Sequence, residues 1–336
     1  SPVNDNAAVT STILQKARQL HPQGPALHPV GAVSPGLAGE GLSPLHELAQ
    51  AGCIAYTNDG LPLADTSLTR KAMEYSADLG LKIIDHCEDG YLSRGGVINE
   101  GRASSRLGLQ GVPGIAESIQ IARDILLASY LDLPVHLAHI SCRESVELIH
   151  WAKNKGVQVS AETCPHYLLW SDQDIPEYDP LYKVNPPLGS PDDQLALRQA
   201  VREGVIDILA TDHAPHAPFE KEMPFSRAPS GISGLDTALS LTWSLVRDGE
   251  LSQKDLLRLW CHRPAELFGV GTNRFHPGDP ADFVLFSPEA SWTPTPETMR
   301  SRGKNTPALH QELPGTILLN CMEGEAIYGA YPEEAT

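Results

Sequence analysis

An apolar run, Ile206 to Ala210, ends in Asp212 and His213, and the chain is then broken by Pro215 before His216. Read as a buried parallel strand, it delivers the Asp212 carboxylate to the strand's carboxyl end, the reactive face of an α/β barrel. Three more strand-like runs end in the same way. Cys53–Thr57 leads into Asn58-Asp59-Gly60, Leu81–Asp85 into His86, and Pro134–Ser141 carries His139 near its far end. Asp59, His86, His139 and Asp212 together are a donor set for Zn²⁺ or a similar divalent ion. Imidazole mixed with carboxylate suits a catalytic site, in which the ion lowers the pKa of water. In this reading Asp212 is both a ligand and the proton carrier of a hydrolase, taking a proton from the nucleophile and passing it to a leaving nitrogen.

Each residue alone has an ordinary explanation. A strand-end histidine is often a hydrogen-bonded structural residue, Asp59-Gly60 is a turn, and Asp212 is a helix cap. Their recurrence at one end of successive strands is what favours a site. His136 stands three positions before His139, so the two point to opposite faces of a strand and His136 is left out. Substrate contacts are expected from Asn185, whose loop is stiffened by two following prolines, and from Ser230-Gly231, where backbone can approach a ligand closely. His216 is placed to bind a carboxylate or to cap its loop.

The elements that must position these residues alternate. Helical spacing is read at Ala8–Leu20, Pro44–Ala51, Leu68–Leu79, Ile115–Tyr130, Arg143–Lys155 and Asp192–Arg202. Strands are read between them, at Leu27–Val33 and Val157–Glu162 besides the four above, with Gly90 to Gly114 as a polar loop. Leu235–Arg247, Gln253–Trp260 and Pro264–Phe268 read as closing helices. Such alternation belongs to a parallel (β/α) barrel or a doubly wound sheet. Titratable residues at four separate strand ends favour the barrel, and no Gly-rich phosphate loop follows the first strand. The expected division is a barrel over 1–270 and part of a small β module over 271–336, where Ala281–Phe286 and Thr316–Asn320 look like antiparallel strands.

The chain's 336 residues, 41% of them hydrophobic, are enough for a barrel with a large core. A net charge of −17 argues against a nucleic-acid partner. No apolar run reaches membrane-spanning length, and no signal-peptide pattern is present. None of the six cysteines forms a Cys-x-x-Cys pair, so they are read as reduced, mostly buried thiols, which suits the cytoplasm.

Several motifs converge on one family. Thr211-Asp212-His213-Ala214-Pro215-His216, Lys183-Val184-Asn185-Pro186-Pro187-Leu188, His86-Cys87-Glu88-Asp89 and His139-Ile140-Ser141 resemble dihydroorotase. So does Ser105-Arg106-Leu107-Gly108-Leu109-Gln110-Gly111-Val112-Pro113 running into Ala116-Glu117-Ser118. The resemblance is to the larger, bacterial-type class of these cyclic amidohydrolases, and it extends to Asn305-Thr306-Pro307. It implies the (β/α)8 TIM-type barrel of the metal-dependent amidohydrolases. The implied reaction is reversible, zinc-dependent hydrolysis of (S)-dihydroorotate to N-carbamoyl-L-aspartate in pyrimidine biosynthesis. Asp59 resembles the carboxylate that replaces the carbamylated lysine of related enzymes. His86 and His139 resemble the ligands of a second metal, and Asp212 the first-metal ligand that is also the base. Asn185, His216, Ser230 and Gly231 resemble substrate contacts. One or two zinc ions, a small-molecule substrate, and a homodimer or an association with another pyrimidine enzyme are implied.

The chain departs from the family pattern in three ways. A His-x-His pair on the first barrel strand, followed by a substrate-binding Arg, is not found. Ser1-Pro2-Val3-Asn4-Asp5 is similar to the residues just after a Met-Pro-Asn-Thr segment at the end of the family's second strand. Two strands and the N-terminal half of a β-sandwich module are therefore expected to be missing from this chain, exposing two sheet edges. Asn58 stands where an acid is common, and Gly189 where Arg is usual. The competing expectations are a hydantoinase- or allantoinase-like enzyme, and a catalytically inactive scaffold that partners another pyrimidine enzyme.

Overall fold

A computed structural model describes residues 2–273 and 275–329. The first half runs α1 (Ala7–Leu20), β1 (Val30–Ala32), α2 (Leu45–Gln50), β2 (Ala55–Thr57), α3 (Thr66–Asp78) and β3 (Lys82–Asp85). It continues with β4 (Ile98–Asn99), α4 (Arg102–Leu107), β5 (Gly111–Val112), α5 (Ile115–Leu131), β6 (Val135–Leu137) and α6 (Arg143–Asn154). Then come β7 (Val159–Thr163), α7 (Pro165–Leu169), α8 (Pro191–Glu203), β8 (Ile208–Leu209) and α9 (Pro218–Lys221). The chain closes with α10 (Ala238–Arg247), α11 (Gln253–Leu257), α12 (Arg263–Phe268), β9 (Phe283–Trp292), β10 (Leu313–Met322) and β11 (Glu325–Gly329).

Each of the six runs read as barrel strands is a strand. They form one parallel sheet in the order β1-β2-β3-β6-β7-β8. Sheet order follows chain order without reversal. A doubly wound sheet would reverse at a switch point, so the topology is that of a barrel wall. A parallel bridge between His213 and Ile232 continues the wall beyond β8. The strands are short and buried on both faces, with Ala55, Tyr56, Ile83, Val135, Leu137 and Ala161 all nearly inaccessible, as expected where helices cover a parallel sheet. The helices dock their apolar sides on it through Leu48, Met73, Ile121, Ile125, Ile149 and Val201.

Local chemistry starts and stops these helices. Asn6 caps α1 by accepting from the Val9 amide at 3.1 Å. Ser190 and Asp193 form a reciprocal capping box on α8. Asp207 interrupts the apolar run before β8 for a reason visible only in three dimensions. It accepts from Lys153 Nζ at 2.6 Å, Arg263 Nη2 at 3.0 Å and the Ala161 amide at 2.9 Å. One carboxylate so locks β7, α6 and α12 to the foot of β8.

Two expectations are corrected. The stretch from Gly90 to Gly114 is not one polar loop: it holds α4 and a two-stranded parallel ladder of β4 and β5. Ile98, Ala103 and Leu107 are buried there, so sparse apolar residues suffice to fold it. The helix expected over Gln253–Trp260 changes at Arg258 into a π-helical turn through His262. The edge of β1 is partly closed, because the Ala32 amide donates to the Asn4 carbonyl at 2.8 Å and Asn4 Nδ2 donates to the Val30 carbonyl at 2.9 Å. After α12 the strands turn antiparallel, in the order β11-β10-β9, and Trp292 Nε1 ties them to α10 through Ser240 Oγ at 2.8 Å. Among the described residues no cysteine is in a disulfide, and of the six only Cys261 is exposed.

Candidate metal centre

The loops at the carboxyl end of the sheet bring three side chains to one point. Asp59 follows β2, His86 follows β3 and His139 follows β6. His86 Nδ1 and His139 Nε2 lie 2.7 Å apart, and Asp59 Oδ1 lies 3.2 Å from each. The edges of a zinc tetrahedron are about 3.3 Å, given Zn–N bonds near 2.0–2.1 Å. Two facing imidazole nitrogens share at most one proton, whereas a cation satisfies all three atoms together. The donors therefore fit a divalent ion. His139 adopts a left-handed backbone (φ 35°), as does Asp212 (φ 43°). That conformation is costly for non-glycine residues, and such strain concentrates at functional sites.

Asp212 joins a neighbouring group. Its carboxylate, Cys164 Sγ and a His166 ring nitrogen lie within 4.8 Å of one another. His166 is buried, and its Nε2 has no hydrogen-bond partner among the described residues. Burial, with the charge of His139 second, pushes His166 down to about 3, so the ring is neutral. Burial also raises the Asp212 carboxyl. His139 opposes that rise, and the negative charges of Asp59 and Glu162 add to it. Burial alone would lower His86, but hydrogen bonds to Asp59 and Glu88 outweigh it and hold the ring near 9. Against its own desolvation, Asp59 is held well below the usual carboxylate range by hydrogen bonds to His139 and His86. A third acidic cluster, Asp85 with Asp124, already has its cation. Arg123 Nη2 lies 3.2 Å from Asp85 Oδ2 and 2.7 Å from Asp124 Oδ1. Gln120 Nε2 completes that brace by donating to Asp85 Oδ2 at 2.8 Å and to the His86 carbonyl at 3.2 Å.

The four expected substrate contacts fall into two places. Asn185 Nδ2 donates to Glu88 Oε2 at 2.8 Å, and the same oxygen lies 3.0 Å from His86 Nε2. His216, Ser230 and Gly231 form a second cluster. His216 Nε2 donates to the Ser230 carbonyl at 2.9 Å. Gly231 has φ +136°, and a Cβ there would stand 2.6 Å from Ala214 Cβ and 3.0 Å from His216 Nε2, so only glycine fits. His136 stays outside the donor group, bonded to Ser160 Oγ at 2.8 Å and Glu162 Oε2 at 3.1 Å.

Both substituted positions have a structural account. Asn58 is buried, accepts from the Ser34 amide and hydroxyl, and donates to the Leu37 and Leu61 carbonyls. An acid could not make the last two bonds, so the amide braces the Asp59 loop here. At Gly189 a Cβ would stand 2.9 Å from the Ser141 carbonyl oxygen and 2.8 Å from Asp193 Cβ, so this loop closes where a longer side chain would hold it open.

Sequence reasoning missed Glu88, Cys164 and His166. Their signal is the same as that of the residues it found, since each lies just past a strand's carboxyl end. Glu88 supports His86 from the side away from Asp59, and its own carboxyl is held at about 2 by His86, Ser93 and Asn185 against desolvation. A carboxylate on a ligating imidazole fixes its orientation and raises its basicity. Replacing Glu88 with Ala is expected to weaken metal binding about 10- to 100-fold, measured by competition with a chromophoric chelator.

The chain is similar to known proteins over nearly all of its length. The family described as Dihydro-orotase-like matches residues 15–145. The dihydroorotase of Desulforapulum autotrophicum is 44% identical over 98% of this chain and 76% of its own length. That of Syntrophus aciditrophicus is 41% identical over 97% of this chain, again covering 76% of the relative. Among solved structures, the L-hydantoinase of Arthrobacter aurescens superposes with a TM-score of 0.83 over 98% of this chain and 75% of its own, at 23% identity. That likeness shows the fold: a parallel sheet with covering helices. Sequence identity, extent and the strand-end donor set together make this chain a member of the dihydroorotase family.

Proposed function

We propose that the chain carries the catalytic body of a zinc-dependent dihydroorotase of the cytoplasm. The reaction is reversible hydrolysis of (S)-dihydroorotate to N-carbamoyl-L-aspartate. The observation that carries this reading is the convergence of Asp59 Oδ1, His86 Nδ1 and His139 Nε2 within 2.7–3.2 Å of one another, beside Asp212, in a chain of this family. Asp59, His86 and His139 would hold one ion, and Asp212 would contribute to a second. When bound, the metal activates water and polarises the ring carbonyl. Asp212 removes the proton from the attacking water and delivers it to the ring nitrogen as the amide bond breaks. His216 binds the substrate carboxylate, while Asn185 and the backbone of Ser230 and Gly231 orient the ring. In the same reading, the six strands are part of an eight-stranded barrel whose first two strands are not among them, the first of those carrying the His-x-His pair, and β9–β11 are the C-terminal part of a small β-sandwich module.

A panel of cyclic amides, assayed with the full-length protein, tests the activity. Dihydroorotate is expected to turn over well above hydantoin, dihydrouracil and allantoin, to stop with a chelator and to recover with zinc. A preference for hydantoin would favour the hydantoinase reading, against which Asp59, in the place of a carbamylated lysine, argues. No turnover of any substrate by metal-loaded protein would leave the scaffold.

A further inference from the structure

We propose that Lys183 and Lys221 are positioning residues for substrate: their ammonium groups clamp the loop that carries Asn185 to the loop that carries Ser230 and Gly231. Both side chains are only 7% exposed, and neither makes an ion pair with a carboxylate among the described residues. A buried ammonium is costly unless its donors are satisfied. Here each one is satisfied by backbone carbonyls, three for three donors. Lys183 Nζ donates to Ala228 at 2.7 Å, Phe225 at 2.8 Å and Ser226 at 3.4 Å. Lys221 Nζ donates to Pro229 at 2.8 Å, Pro180 at 3.1 Å and the Lys183 carbonyl at 3.4 Å.

The carbonyls come from two segments. Pro180 and Lys183 lead into Asn185, and residues 225 to 229 lead into Ser230. Between them runs a direct backbone bond, from the Gly231 amide to the Lys183 carbonyl at 2.9 Å. Apart from the bridge at Ile232, no strand or helix orders the described residues between α9 and α10. The ammonium groups therefore do the work that a sheet ladder does elsewhere. Asn305 closes the other side, accepting from the His216 amide at 2.8 Å and donating to the Ala214 and Gly231 carbonyls at 3.0 Å each. Neither lysine is a candidate ligand or substrate contact, so the effect must pass through loop geometry, where small displacements of contact groups cost binding.

The inference rests on the assignment of those loops to dihydroorotate binding. Lys221→Met in the full-length protein keeps the apolar stem and removes the donors. Lost charge-assisted bonds in a binding loop are expected to raise KM for dihydroorotate about tenfold while kcat changes less than about threefold. Metal content should not change. Amide exchange should accelerate over 180–189 and 225–232 while the strands β2, β3 and β6 keep their protection. Lys183→Met is the second variant should the first fail to fold. An unchanged KM with unchanged loop exchange would overturn the clamp. So would a joint fall of kcat, metal content and sheet protection, which would mark a general stability role. If the wild-type protein leaves dihydroorotate untouched, the functional reading fails, while the exchange pattern still decides whether the two lysines hold the loops.

Discussion

Replacing Asp212 with Asn is expected to lower kcat for dihydroorotate by roughly 10³-fold, within the range that general acid–base groups contribute. The substitution is nearly isosteric. Asn also tolerates the left-handed backbone that Asp212 adopts at φ 43°. The fold and the neighbouring Asp59–His86–His139 donors therefore remain. What is lost is an anionic oxygen that can take a proton and give it back. Burial raises this carboxyl, against the pull of His139, so its affinity for a proton is closer to that required of a shuttle than an exposed aspartate's would be. Steady-state kinetics in both directions, with metal analysis on the same samples, read the result. A variant that keeps its metal and more than about a tenth of the wild-type kcat would remove Asp212 from the proton-transfer role.

Asp59→Ala acts on the metal instead. Metal content at this seat is expected to fall to near zero and hydrolysis to background, because the anion between His86 Nδ1 and His139 Nε2 is gone. Two neutral imidazoles hold a divalent ion far less tightly than two imidazoles with a carboxylate. The Asp59 side chain is 54% exposed although its Oδ1 faces inward between the two rings. Its removal takes one of two carboxylate partners from the buried His86 ring, which keeps Glu88 at 3.0 Å, so the fold is expected to persist with a lowered melting temperature. Equilibrium dialysis against zinc, followed by metal analysis and thermal unfolding, separates loss of metal from loss of fold. Full metal content in the folded variant would show that the ion is held elsewhere. The Asp212→Asn and Asp59→Ala outcomes are distinct. The first leaves the ion at the Asp59–His86–His139 seat without turnover, and the second removes both that ion and turnover.

The site residues legible in the amino-acid sequence share one property. Asp59, His86, His139 and Asp212 each sit where a short apolar run stops, and in a parallel sheet the run's direction alone says which face its last residue reaches. The same logic applies to His166, which follows β7, yet its lack of a hydrogen-bond partner is a property of its surroundings. The segment from Gly90 to Gly114 reads as loop because Ile98, Ala103 and Leu107 are too sparse to show a period, and their burial comes from packing against distant elements.

Pairings across the chain are out of reach for a related reason. Glu88 and Asn185 meet across 97 positions, and His216 meets Asn305 across 89. Nothing in local spacing specifies such partners. Nor does local spacing mark Lys183 or Lys221 as buried, since only a three-dimensional cage of carbonyls makes a buried ammonium tolerable.

The sequence by itself determined the alternating strands and helices, the end of the sheet where the candidate donors gather, and the side chains proposed to carry the chemistry. These follow from the apolar pattern of buried strands and from the chain's polarity. Only the tertiary structure decided that Asp59, His86 and His139 meet at one point while Asp212 stands with Cys164 and His166, that Glu88 contacts His86, and that two lysines reach the carbonyls of the loops around Asn185 and Ser230. Those facts depend on distances between loops of different strands, which sheet closure sets and residue spacing does not.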